Sequence, residues 1–379
     1  MFHLKISHAT TDKQLSSFFG VSHVAVQKIV LRVLMHQFMH RNNIPVIIRP
    51  DGTVNVEEKN KLFEFAHANT PAYFRTLVAD MEDPTGRNRT GVLLNIDATY
   101  FYSQGSSDIH HQKQVYCNFK SHHIIKFLNL TDMRGKFLAV IPLAASQSPA
   151  SGDHHLVQRF SDIQDNNVEQ ENYLRAILQG TDRHFCIAVA DAGFTTDLRN
   201  KPREVQNAPT FAELCQAEGA MLLHTSETNE TYVLTRSANN RITKDYSNNP
   251  EITQVENRIK FTRCLRTVQE QIHAALKKKY SFFNSKFIPN CYLRPLSPAQ
   301  MARFNLPETY SDVPRLAYYT VVTCSLLNAF HPGFDILYIS PADQVVAAEK
   351  FLTRLFTVNP LLHNIWPEDM NFASPTGGN

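Results

Sequence analysis

GVLLNIDATYFY, residues 91–102, drives one carboxylate, Asp97, into the end of an apolar run. Val92, Leu93, Leu94 and Ile96 have the composition of a strand buried on both faces of a sheet. An ionised aspartate taken out of water must be paired, hydrogen-bonded or bound to a metal, or its pKa shifts until it is neutral. The plain alternative is an Asp that turns a strand end into a loop. What flanks the stretch bears on that choice.

Downstream, HHIIKFLNL (residues 122–130), a turn at 132–135 and FLAVIPLA (137–144) predict two more strands in a meander. The polar stretch SQSPASGD leads into helical patterns at 154–163 and 168–178, with Asp153 placed as a helix cap. HFCIAVA (184–190) predicts a fourth strand that again stops at an acid, Asp191, with Gly193 after it. Residues 200–249 are weakly patterned, with a short strand expected at 231–235 and a polar turn cluster at 245–250. Residues 252–280 contain no Pro or Gly and keep helical spacing through Val255, Ile259, Leu265, Val268, Ile272 and Leu276. This is the longest predicted helix, and Glu270 lies on it. Between residues 258 and 286 eight Lys and Arg stand against Glu270 alone, a local balance of +7. Such a run is either a solvated helix face or a phosphate-binding groove around a metal-holding acid.

Upstream, TDKQLSSFFGVSHVAVQKIVLRVL from Thr11 carries two helical patterns separated by Gly20. That is the pattern of a helix-turn-helix, with an ordinary packing hairpin as the alternative. Ser22 would cap the second helix, leaving Ser22, His23, Ala25, Gln27 and Lys28 where a recognition helix meets the major groove. Residues 42–52 read as extended, residues 57–81 as helical with a break at Pro71, and residues 83–90 as a turn-rich link. The resulting division is 1–44, a helix-turn-helix region; 45–90, a helical connecting segment; 91–330, a catalytic α/β domain; and 331–379, a C-terminal extension that ends in a loosely ordered tail.

Composition narrows the classes. At 379 residues and 43% hydrophobic content the chain suits one large domain with an appendage, or two domains. A net charge of +3 does not itself announce a nucleic-acid binder. Six scattered cysteines without a C-x-x-C pair and no recognisable signal peptide predict free thiols in a reducing compartment. The N-x-T triplets at Asn88, Asn129 and Asn229 then read as chance matches. LAYYTVVTCSLLNAF, residues 316–330, falls short of the roughly 18–20 residues of a membrane span, so none is expected. The pairs His110-His111, His122-His123 and His154-His155 invite zinc, but neighbours on a strand point to opposite faces and the ligand spacing is wrong.

Four blocks in order sharpen the reading. IDAT (96–99), VYCNFKSHHIIKFLNLTD (115–132), ADAGF (190–194) and RTVQEQIHAALK (266–277) resemble the catalytic blocks of the PIF/Harbinger transposases of the DDE superfamily. Those usually read IDGT, a YxxxK segment before a strand, GDxGY and RxxVERxxGxxK. Here Ala98 and Ala190 replace Gly, Phe194 a Tyr, Gln269 a Val, Gln271 an Arg and Ala274 a Gly. The resemblance reaches about residue 330 and includes the helix-turn-helix and the 316–330 helix.

It implies a ribonuclease-H-like catalytic domain, a mixed central sheet flanked by helices, after an all-α helix-turn-helix region. It further implies that Asp97, Asp191 and Glu270 hold two divalent metal ions, Mg²⁺ or Mn²⁺, for in-line phosphodiester displacement. Asp97 would bridge both ions, and Arg266 and Lys277 would contact backbone phosphate. The implied partner is double-stranded DNA, as transposon terminal repeats and target site. A nuclear location and a separate Myb-like DNA-binding partner protein are further implications; an additional cytoplasmic location and a homo-oligomer are left open. The alternative function is a catalytically inactive, transposase-derived DNA-binding or adaptor protein.

Overall fold

The run at residues 91–102 forms the middle of a mixed β-sheet. The computed structural model describes residues 1–39, 46–47, 56–71, 75, 78, 81–105, 107, 109, 112, 115–117, 121–140, 144–145, 173–191, 194, 211–224, 233–236, 242–245, 265–266, 268–284, 288–306, 310 and 313–331. Its helices begin with α1 (Phe2–His8), α2 (Asp12–Phe19), α3 (His23–Met39) and α4 (Val56–Asn69), then α5 (Tyr173–Gln179) and α6 (Phe211–Ala217). A helix α7 covers residues 268–279. After it come α8 (Ser281–Asn284), a 3-10 turn (Asn290–Leu293), α9 (Pro298–Arg303) and α10 (Arg315–Phe330). The strands are β1 (Val46–Ile47), β2 (Thr90–Tyr102), β3 (Tyr116–Cys117), β4 (His122–Thr131), β5 (Phe137–Val140), β6 (Ala144–Ala145), β7 (His184–Ala190), β8 (Met221–His224), β9 (Val233–Arg236) and β10 (Ile242–Asp245).

The main sheet runs β1-β5-β4-β2-β7-β8. β2 is antiparallel to β4 and parallel to β7, and β7 is parallel to β8. Central position explains composition: residues 91–97 of β2 and every residue of β7 are buried, because helices cover both faces. On one face Val92, Leu94 and Ile96 pack with Leu62 and Phe63 of α4, Leu174 and Ile177 of α5, and Phe211 and Leu214 of α6. On the other, Phe101, Phe127 and Phe137 join Ile272 and Leu276 of α7, Phe283 of α8 and Leu316 of α10. The architecture is therefore mixed α/β, an open mixed sheet flanked by helices.

Local chemistry sets the N-terminal helices. Thr11 and Gln14 form a capping box on α2, and Gly20 ends it in the left-handed region at φ 63°. Ser22 Oγ accepts the Ala25 N–H at 3.2 Å, and α3 departs from α2 at an angle of 105°. Val26, Val30, Leu34 and Phe38 of α3 share one core with Phe101, Tyr280 and Leu316. Phe38 meets Tyr318 edge-on at 4.8 Å. The N-terminal helices thus bury their apolar side against α7, α8 and α10. No single described helix is long and apolar enough to cross a membrane.

Several expectations shift in detail. Of the expected 137–144 strand, Phe137–Val140 is β5, residues 141–143 lie outside the described residues and Ala144 begins β6. The expected 231–235 strand is β9, which pairs with β10 in a hairpin. α6 and β8 occupy part of the weakly patterned 200–249 stretch. Of the expected 252–280 helix, residues 252–264 lie outside the described residues, as do the 154–163 helix, Asp153, His110, His111, His154, His155 and residues 332–379. Cys117, Cys186, Cys215, Cys291 and Cys324 are free thiols. Asn129 of the N-x-T triplet is fully buried.

Candidate functional site

Register brings the first two acids together. Ile96 pairs with Ala190 across the parallel β2–β7 ladder, so Asp97 and Asp191 follow at equivalent positions at the same end of neighbouring strands. Glu270 comes from α7, four residues after Arg266. The guanidinium of Arg266 joins all three acids. Its Nη1 donates to Asp191 Oδ1 at 3.0 Å, and its Nη2 lies 3.5 Å from Asp97 Oδ2 and 3.7 Å from Glu270 Oε1. The cluster opens outward: the side chains of Arg266 and Asp97 are 11% exposed, that of Asp191 39% and that of Glu270 61%. Of the three acids Glu270 is therefore the most solvent-facing and Asp97 the most enclosed.

Behind Asp97 stands a buried polar network. Asn129, opposite Asp97 in the β2–β4 ladder, accepts on Oδ1 from Gln269 Nε2 at 3.0 Å, and His273 Nε2 lies 3.1 Å from the same oxygen. His273 Nδ1 is 3.9 Å from Asp97 Oδ2. Burial, reinforced by the positive charges of Lys277 and Arg266, pushes the His273 pKa down to about 3. At neutral pH the ring is uncharged and adds no cation beside Asp97. The backbone N–H of Ala98 donates to Asp97 Oδ1 at 2.8 Å, so that carboxylate is oriented from its own strand.

Asp97, Asp191 and Glu270 are thus brought together, and Arg266 with them rather than on the outer surface. Lys277 lies with its Nζ 4.3 Å from the centroid of the Tyr100 ring, a cation–π distance. On α3, Ser22, His23, Gln27 and Lys28 are exposed and Ala25 is half-buried. Gln27 Nε2 donates to Asp12 Oδ2 at 3.4 Å. Gln27 and Lys28 line a cavity of about 380 Å³ with Lys5, Arg303, Arg315 and Tyr292 among its walls. The sequence reading missed Asn129, Gln269 and His273. The available signal was an amide inside the apolar strand FLNL, beside a helix that presents Gln269 and His273 four residues apart.

Protein-family models, curated proteins and solved structures were compared with the chain. None matches. The site is accordingly argued from its own chemistry. Three carboxylates are the hard oxygen donors that Mg²⁺ and Mn²⁺ prefer, and all three lie within 3.7 Å of the Arg266 guanidinium. Among the described residues, no three His, Cys, Asp or Glu side chains stand close enough to hold one ion as they are. The donor set fits the cation in type, and the Arg266 guanidinium takes up the space between the donors.

Proposed function

We propose that this chain is a metal-dependent DNA endonuclease and strand transferase of the DDE type, or a host protein derived from one. The observation that carries the reading is the convergence of Asp97, Asp191 and Glu270 within 3.0–3.7 Å of one guanidinium. Of the four longer strands expected from the sequence, the first and fourth, β2 and β7, are neighbours, and α7 packs on the sheet. That arrangement supports a ribonuclease-H-like fold. The 105° turn between α2 and α3, with exposed Ser22, His23, Gln27 and Lys28, supports a helix-turn-helix that meets DNA.

Asp97, Asp191 and Glu270 would hold Mg²⁺ or Mn²⁺, which when bound supplies Lewis acidity and lowers the pKa of a coordinated water or hydroxyl. The chain's own groups do the rest. Ala98 N–H and the strand fix Asp97; the β2–β7 register sets Asp191 beside it; the open side at Glu270 admits the phosphodiester. Lys277, whose Nζ lies over the Tyr100 ring on the helix that carries Glu270, offers positive charge to the DNA backbone.

The test is cleavage of duplex DNA bearing transposon-type terminal repeats, with Mg²⁺ or Mn²⁺, by wild type and Asp97→Ala. Wild type cuts and the variant does not; equal activity in both, or none in either, overturns the proposal. One observation favours the second reading, a DNA-binding or adaptor protein without chemistry: Arg266 occupies the space between the acids. That reading expects DNA binding in the same samples with no metal-dependent product.

A further inference from the structure

We propose that Arg266 is the resident counter-cation of the acid cluster, and that it competes with a divalent cation for Asp97, Asp191 and Glu270. The inference rests on the metal-site reading above and concerns what the chain does before metal arrives.

The geometry of Arg266 is unlike that of an arginine built for structure, and the same molecule provides the comparison. Arg89 is forked onto Asp83, with Nε 2.8 Å from Oδ2 and Nη2 3.0 Å from Oδ1, while its Nη1 donates to the Gln179 carbonyl at 2.7 Å. Every arm of that guanidinium is used. Among the described residues Arg266 instead makes one contact of hydrogen-bond length, to Asp191, while its distances of 3.5 and 3.7 Å to Asp97 and Glu270 are charge contacts only. Its Nε is buried and, among the described residues, without a hydrogen-bond partner. An arginine splayed over three acids, with one arm left idle, is held there by field rather than by fit.

The charges say what it is standing in for. Three carboxylates carry three negative charges, and the guanidinium offsets one of the three that a divalent cation would otherwise meet. Without Arg266 the carboxylates would repel one another; with a metal among them the guanidinium would face a like charge a few ångströms away. Metal binding and the arginine's hold on the acids therefore oppose each other. Arg266 acts as a positioning residue: it keeps the acids gathered in the metal-free protein at the expense of metal affinity.

The experiment is calorimetric titration of Mn²⁺ into the full chain, with thermal unfolding in its absence and presence, for wild type, Arg266→Gln and Arg266→Lys. Arg266→Gln is expected to melt lower than wild type without metal, and to bind Mn²⁺ about tenfold more tightly once the competing charge is gone. Arg266→Lys, which keeps the charge, is expected to stay near wild type. Arg266→Gln that is unfolded without metal and restored by Mn²⁺ supports the same conclusion. Unchanged or weaker Mn²⁺ binding by folded Arg266→Gln overturns the inference and leaves the nuclease reading standing. Arg266→Gln that stays unfolded in saturating Mn²⁺ also overturns it, because the arginine is then structural. Absence of Mn²⁺ binding in all three proteins overturns both. Tighter binding by Arg266→Gln in a protein whose wild type never cuts DNA upholds the competition and removes the nuclease.

Discussion

Asp97 on β2 and Asn129 on β4 are direct cross-strand partners, and the Asn129 side-chain oxygen is also where the buried polar groups of Gln269 and His273 on α7 meet the sheet. Directly opposed residues of an antiparallel pair share a face, so Asn129 ties the helix carrying Glu270 to the strand carrying Asp97. Asn129→Ala removes the common acceptor and leaves Gln269 and His273 buried without it. A loss of about 2–3 kcal/mol is expected from stranding such groups, read from urea unfolding. Asn129→Ala with unchanged stability would show that the network is not what holds α7 in place.

Asp83 and Arg89 clamp the link that enters β2. Each side chain is only 3% exposed, and the Arg89 guanidinium holds the Asp83 carboxyl well below the usual carboxylate range. Asp83→Asn leaves a buried guanidinium without its counter-charge, with an expected cost of about 3 kcal/mol at pH 7. Because the folded pKa is depressed, the contribution is complete above the ordinary Asp value of about 3.9 and fades as pH falls through the folded one. The gap between wild type and variant in denaturant midpoint should be full at pH 6–7 and smaller at pH 3. A gap that does not narrow in acid would exclude the ion pair as its source.

Asp132 behaves in the opposite sense. It is fully buried in the β4–β5 turn, where Oδ1 accepts the Arg134 and Lys136 N–H groups at 2.9 and 2.8 Å, and Oδ2 has no hydrogen-bond partner among the described residues. Burial outweighs those bonds and pushes its pKa up to about 6. A folded value above the unfolded one means that stability is full below about pH 4 and is lost as pH rises through 6. Asp132→Asn keeps an acceptor oxygen without the charge. Relative to wild type its stability should improve by about 2–3 kcal/mol between pH 4 and pH 8, measured by thermal or urea unfolding at both. A constant difference across that range would mean that Asp132 is not titrating there.

The strands that carry the acids were legible because they are buried on both faces and so consist almost wholly of apolar residues: β7 begins and ends where HFCIAVA does, and β2 extends GVLLNIDATYFY by one residue. Elements that rely on distant partners were not. β8, Met221–His224, is four residues long and is a strand because β7 offers it a parallel edge, which no local period announces. At the site, the three acids could be paired with one another by their place at strand ends and on a basic helix. Arg266 could not be assigned among them, since a basic residue one turn before Glu270 serves equally well facing out to phosphate or in to carboxylate. Which way it faces is decided by the packing of α7 on the sheet.

Gly180 supports the site from the far end of β7. It closes α5 at φ +71°, and a Cβ there would come within 2.2 Å of the His184 carbonyl oxygen. Both the left-handed backbone and the backbone contact exclude a side chain, so Gly180→Ala must displace the start of β7. A loss of more than about 1 kcal/mol is expected, the cost of a non-glycine residue in that region, with further loss from the clash. Thermal unfolding measures it. A variant that melts with wild type would mean that the turn rearranges without strain.

Lys28 tests the proposed DNA face apart from the acids. It is exposed on α3, next to Gln27 and across the cavity from Arg303 and Arg315, and no ion pair holds it among the described residues. If α3 meets the DNA backbone there, Lys28→Ala weakens binding to all duplex sequences alike. The slope of log affinity against log salt should also fall by about one, as one fewer phosphate is neutralised. Asp97→Ala, by contrast, should leave that slope unchanged, because its carboxylate makes no phosphate contact. Fluorescence anisotropy with a labelled duplex at several salt concentrations, without metal, separates the two variants. An unchanged slope for Lys28→Ala would place the DNA elsewhere on the protein.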